Sequence, residues 1–174
     1  MKIEQLSSEQ AYQGRITVAL ERWRYDDGLE VTREIVHKDG AVAIVAHDQD
    51  GFYLVSQPRE AVNEPESLEL PAGTLDVMGE GALACARREL IEEIGMEAEE
   101  WKELKSFYPS PGFTDEQVVI FEATGLKFVG VAPEDNERIE IMKLPWNQLE
   151  ATIAKVQDAK TLLGLMLLAR SRQV

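Results

Sequence analysis

The apolar positions along this chain change period several times, and each change marks an element. Ile16, Val18 and Leu20 alternate with polar neighbours and open a predicted strand that runs to Tyr25. Asp26-Asp27-Gly28 signals a turn, and Leu29, Val31 and Ile35 read as the returning strand, so residues 16–37 make a predicted β-hairpin. After Lys38-Asp39-Gly40, the run from Ala41 to His47 is apolar up to its last residue, as expected of a central strand buried on both faces. FYLVSQ, ending at Gln57, reads as the next strand, residues 58–65 as a loop and Ser67 to Leu70 as a short strand. From about Gly81 to Ile94 the period becomes helical: Leu83, Ala86, Leu90 and Ile94 recur every three or four residues, and Gly95 stands where such a helix stops. Strands are predicted from Trp101 to Tyr108, Gln117 to Ala123 and Glu137 to Leu144, and helices from Trp146 to Val156 and Asp158 to Arg172. Strands, helix, strands, helices in this order predict an α/β chain with a mixed sheet and helices packed on it. No repeat or linker divides the sequence, so residues 1–174 are expected to form a single domain.

Composition narrows the chemistry. A chain of 174 residues, 44% apolar and 29% charged, can bury a proper core. Its most apolar stretch, Leu162 to Ala169, is far too short to span a bilayer, and MKIEQLSSEQ lacks the apolar centre of a signal peptide. Cys85 stands alone and cannot form an internal disulfide, so no membrane association and a cytoplasmic location are expected. A net charge of −14 argues against a nucleic-acid partner, which would need a basic face. A small phosphate-bearing substrate is compatible with it if positive charge is built locally, from a few Arg residues or a bound metal.

Glu89, Glu92 and Glu93 sit at i, i+3 and i+4 and share one side of the predicted helix, away from its apolar stripe. Like charges so placed repel by roughly 0.2–0.5 kcal/mol per pair, and the helix macrodipole opposes anions near a C-terminus. Two readings stand at this level: a solvated acidic face, the usual meaning of a charge run, or a site for a hard divalent cation such as magnesium or manganese.

The residues around them decide between these. From Gly73 to Met96 the chain reads GTLDVMGEGALACARRELIEEIGM and resembles the Nudix box, with Gly73, Glu80, Arg88, Glu89, Leu90, Glu92, Glu93, Gly95 and Met96 in the motif's fixed places. Six residues rather than the commoner five separate Gly73 from Glu80; the extra one falls in a loop, where insertions are tolerated. LELPAG (Leu68 to Gly73) and SPGFTDE (Ser110 to Glu116) are similar to segments of the ADP-ribose pyrophosphatase group, whose members carry a proline about sixteen residues after the box, here Pro111. Pro58 stands where that group usually has an aromatic residue.

The resemblance implies a Nudix-type α/β/α sandwich with a mixed central sheet and an N-terminal β-hairpin, residues 1–37 being a segment that dimerises in related enzymes. It implies metal ligation by Glu89, Glu92, Glu93 and the Ala72 carbonyl, with Mg2+ as cofactor (Mn2+ as an alternative), and structural roles for Gly73, Glu80, Arg88 and Gly95; Arg88 reads as a partner of Glu80 that fixes the loop against the helix, or as an ordinary surface ion pair. Glu92 and Glu116 are expected to be catalytic. Glu116 corresponds to the family's general base, with metal ligation by Glu116 and a role for the neighbouring Asp115 left open. Arg59 reads equally as a phosphate-binding residue or a solvated loop arginine. Glu69 is read as a ribose contact, as a group orienting Arg59, or as a plain strand glutamate. Phe113, Trp23 and Tyr25 are available to stack a base, although strand aromatics are more often core. His37 and His47 have no sequence neighbours resembling a ligand set, and Cys85 reads as packing. The function expected is metal-dependent hydrolysis of a diphosphate bridge, ADP-ribose giving AMP and ribose 5-phosphate. The alternatives are a nucleotide-sugar hydrolase, for example for GDP-mannose, and a non-catalytic nucleotide sensor.

Overall fold

The computed structural model describes residues 1–130 and 138–172. Chain contacts divide into two compact units, Met1–Gly40 with Tyr108–Gln117, and Ala41–Phe107 with Val118–Val174.

The first unit is an antiparallel meander of β1 (Ile3–Gln13), β2 (Thr17–Tyr25) and β3 (Glu30–His37), in that order across the sheet. The β2–β3 hairpin is the one the alternation predicts. Strand β1 was not predicted, because LSSEQAYQ carries no apolar alternation and all but one of its residues are exposed. Its backbone bonds to β2, rather than burial, hold it. Beside β3 lies the segment Tyr108–Gln117: the Val36 N–H donates to the Phe113 carbonyl at 2.7 Å, and Val36 and Thr114 form a parallel bridge.

The second unit holds two sheets. Strands β4 (Ala41–Ala46), β7 (Ala72–Thr74), β8 (Met96–Phe107) and β9 (Val118–Phe128) form a mixed sheet in the order β7-β4-β9-β8, with β4 and β9 parallel. Strands β5 (Gly51–Arg59), β6 (Glu64–Glu69) and β10 (Glu140–Pro145) form an antiparallel sheet, β10-β5-β6. Residues 58–65, expected as a loop, are instead the end of a hairpin. β5 continues through Pro58, which has no N–H to donate and sits at a register shift between Gln57 and Arg59. Of the strand predicted from Glu137, that residue lies outside the described ones.

Helix α1 (Ala82–Ile94) and helix α3 (Ala159–Arg172) cover opposite faces of the mixed sheet, and α2 (Leu149–Ile153) adds a short turn beside α3. Strand alternation separates the two cores. Val42, Ile44, Ala46, Val119, Phe121 and Ala123 pack with Cys85, Ala86, Leu90 and Ile94 of α1. Ala43, Val45, Val118 and Ile120 pack with Leu165 and Leu168 of α3. Leu83, placed in the apolar stripe by its spacing, is 39% exposed, and the buried face runs through Cys85 and Ala86 instead. A Cβ at residue 164 would lie 2.6 Å from Leu70 Cδ1 and 3.0 Å from Val45 Cγ2, so Gly164 lets α3 lie close to the sheet. The expected α/β/α arrangement with a mixed sheet is therefore present in the second unit, and the hairpin in the first.

Candidate active site

Helix α1 begins after Gly81 and ends at Gly95, whose φ of 68° is left-handed and whose N–H donates to the Leu90 and Ile91 carbonyls. Its last two turns carry the carboxylates. Glu93 is buried, contrary to the expectation that this side of the helix lies wholly away from the core; the Ala72 N–H donates to its Oε2 at 2.9 Å. Glu89 reaches the same short strand. A Cβ at residue 73 would lie 1.9 Å from Glu89 Oε1 and Cδ, so any side chain there would displace this carboxylate from the β7 backbone.

Arg88 binds the other side of the cluster. Its guanidinium donates to Glu80 through Nε (3.2 Å) and Nη2 (3.0 Å), and through Nη1 to Glu89 (2.7 Å) and Glu92 (2.8 Å). The hydrogen bond from Arg88 holds the Glu80 carboxyl below its ordinary range, and the bond to Glu80 is in turn the largest cause raising the Arg88 guanidinium. The expected Glu80–Arg88 pair thus ties the loop after β7 to α1. Three carboxylates on one guanidinium leave a formal excess of negative charge. Among the described residues no three of these side chains converge into a finished metal cage. The carboxylate oxygens are nevertheless of the kind a hard cation takes, and the missing Cβ of Gly73 leaves room for Glu89. Cys85 is buried behind them, and burial, then the Glu89 charge, pushes its thiol up to about 12, which suits packing rather than nucleophilic chemistry.

Arg59 of β5 and Glu69 of β6 meet through their side chains, although in the register Glu69 is opposite Val55 and Arg59 opposite Glu64. Arg59 donates from Nε (2.6 Å) and Nη2 (2.7 Å) to the two Glu69 oxygens, a bidentate pair. Glu69 is 2% exposed while the Arg59 side chain is 44% exposed. Burial alone would raise the Glu69 carboxyl, but the bonds from Arg59 and Lys160 outweigh it and bring the value to about 2. Lys160 was not singled out from the sequence; its only signal there was a position in the first turn of a predicted helix.

In the first unit, Glu116 is largely buried and pairs with Lys38 Nζ, while Asp115 accepts from the Lys38 N–H at 3.1 Å. His37 lies between two carboxylates, 2.6 Å from Asp115 Oδ2 and 3.1 Å from Glu21 Oε1, where the sequence offered it no partners. The Asp115 bond is the main cause raising the His37 imidazole. Phe113 is exposed, and Trp23 and Tyr25 are half-buried on β2. His47, in the second unit, pairs with Glu122 at 3.0 Å and meets Trp146 edge-on, a packing arrangement.

A mixed sheet lies between helices, with a glutamate-bearing helix set against a glycine strand, and comparison gives this arrangement a family. The model of the NUDIX domain matches residues 37–164. The chain belongs to the Nudix family and is a Nudix hydrolase, an enzyme class that generally needs divalent metal ions. It is 40% identical over 155 residues to an ADP-ribose pyrophosphatase of Mycobacterium tuberculosis, covering 88% of this chain and 74% of that protein. A methanol dehydrogenase activator of Bacillus methanolicus is 32% identical over 169 residues, covering 94% and 90%. A crystal structure of an ADP compounds hydrolase superposes with a TM-score of 0.87 at 22% identity over 99% of this chain and 95% of that one, a likeness of fold.

Proposed function

We propose that this enzyme hydrolyses ADP-ribose, adding water across the diphosphate bridge to give AMP and ribose 5-phosphate, with Mg2+ as cofactor and Mn2+ as a substitute. The observation that carries the reading is the apposition of α1 and β7, with Glu89 over Gly73 and Glu93 on the Ala72 amide. Glu89, Glu92, Glu93 and the Ala72 carbonyl would hold the cation. When bound, such an ion polarises phosphoryl oxygens and lowers the pKa of water. Arg59 binds a substrate phosphate, Glu69 orients Arg59, and Phe113 stacks the base. Glu116 takes the proton of the attacking water, and Gly73, Glu80, Arg88 and Gly95 shape the motif. ADP-ribose is favoured among diphosphate substrates by LELPAG and SPGFTDE and by the mycobacterial relative.

The test is a panel of nucleoside-diphosphate compounds with and without magnesium, with products identified. AMP and ribose 5-phosphate from ADP-ribose, dependent on the metal, are the expected result. Cleavage of a nucleotide sugar such as GDP-mannose with ADP-ribose untouched would replace the substrate named here.

The same reading makes the protein a cytoplasmic homodimer joined through residues 1–37. The outer edge of β1, eleven residues long, pairs with no other strand among the described residues. A dimer is expected in sedimentation at micromolar concentration, and a monomer throughout that range would remove the assignment. The lone Cys85, free and buried, fits a reducing compartment. No helix among the described residues is long and apolar enough to cross a membrane.

A further inference from the structure

We propose that Lys160, at the start of α3, is a positioning residue for substrate binding that acts through Glu69 on Arg59. The inference rests on the reading of Arg59 as the phosphate-binding arginine. It comes from how completely Glu69 is held. Its Oε1 accepts from Arg59 Nε at 2.6 Å and Ser67 Oγ at 2.8 Å; its Oε2 accepts from Arg59 Nη2 at 2.7 Å and Lys160 Nζ at 2.6 Å. Two carboxylate oxygens offer about four lone-pair sites. All are filled, so Glu69 has no capacity left for a ribose hydroxyl and its plane is fixed from both sides. A guanidinium bound bidentately to a fixed carboxylate is fixed with it. The outward part of the Arg59 fork is thereby aimed before substrate arrives, which reduces the ordering needed on binding.

Lys160 is itself located. Its Nζ lies 2.9 Å from Asp158 Oδ1, and Asp158 Oδ2 accepts from the Thr161 N–H at 2.9 Å, capping the helix. The fully buried Thr161 hydroxyl donates to the same Asp158 oxygen at 2.5 Å and accepts from the Leu70 N–H at 2.8 Å. The first turn of α3 therefore grips two consecutive residues of the other segment, the Glu69 side chain and the Leu70 amide. The next two are also fixed: the Pro71 carbonyl accepts from the Ile44 N–H at 2.8 Å, and the Ala72 N–H donates to Glu93. Residues 69–72 form a strip anchored at each position, with Arg59 on one end and the α1 carboxylates on the other. Lys160 supplies the only charge that α3 contributes to Glu69 among the described residues.

Lys160→Met, Arg59→Ala and the double variant should be compared in steady-state hydrolysis of ADP-ribose at saturating magnesium. Lys160→Met is expected to raise KM about 10-fold, the low end of the cost of losing a partner that orients a binding side chain at metal sites, with kcat within about 2-fold and an unaltered magnesium requirement. Arg59→Ala should raise KM further, and adding Lys160→Met to it should change nothing more. Lys160→Arg, which keeps the donor, should recover most of the loss. Lys160→Gln carries the same comparison should the methionine variant not fold. A raised KM for Arg59→Ala beside an unchanged KM for Lys160→Met overturns the positioning role while leaving the Arg59 reading intact. An unchanged KM for Arg59→Ala removes the Arg59 reading and this inference together. Additive effects in the double variant would show that Lys160 acts by another route and would overturn it.

Discussion

Glu93→Gln is expected to lower turnover by about 100-fold or more, since loss of groups one step removed from a metal already costs about 10- to 100-fold. The substitution keeps shape and removes the negative charge that the proposed metal ligation needs. Glu93 is buried, with one oxygen on the Ala72 N–H. A glutamine carbonyl can accept the same bond, so the α1–β7 junction stays closed. Melting without added metal should shift little, or rise through relieved repulsion among the clustered glutamates. The measurement is kcat as a function of magnesium, with thermal unfolding alongside. Near-normal turnover at limiting magnesium would take Glu93 out of the metal site.

The second large effect is expected at Glu116. Glu116→Gln should reduce kcat by about 10²- to 10⁴-fold, the range for removal of a general base, with KM and magnesium dependence largely retained. Its surroundings make a clean comparison feasible. Glu116 pairs with the Lys38 ammonium, while Asp115 is engaged by His37 and the Lys38 amide. The loop is also fastened to β3 by main-chain bonds at Phe113 and Asp115, so neither amide variant should release it. If Glu116→Gln stays fully active while Asp115→Asn is inactive, the base is the other carboxylate.

The helix of the box, its end at Gly95, the buried strand β4 and the Glu80–Arg88 pair were all legible, because each is written in local spacing. Three features were not. β1 has no apolar signature and is held by pairing, which only the partner strand reveals. The burial of Glu93 follows from the Ala72 amide reaching it across twenty-one positions. The Glu69 network depends on a contact across ninety-one positions with Lys160, and a lysine in an apolar helix says nothing about which carboxylate it will meet. What spacing reports is the face a residue occupies; what stands opposite is decided by the fold.

The parallel pairing of β4 with β9 has a consequence for how this enzyme comes into being. Ala41 must find Val118 and Ala46 must find Ala123, and the entire Gly73–Met96 motif lies within the loop that this encounter closes. Closing so long a loop takes its entropic toll before non-local contacts can offset it, and parallel strands of this kind form slowly. The α1 helix can flicker into existence early, but its Cys85–Leu90–Ile94 face has its full seat only once both strands lie side by side. During synthesis the glutamates therefore leave the ribosome well before the strand that completes their platform. Competence for chemistry waits on that later strand, however early its signature is translated.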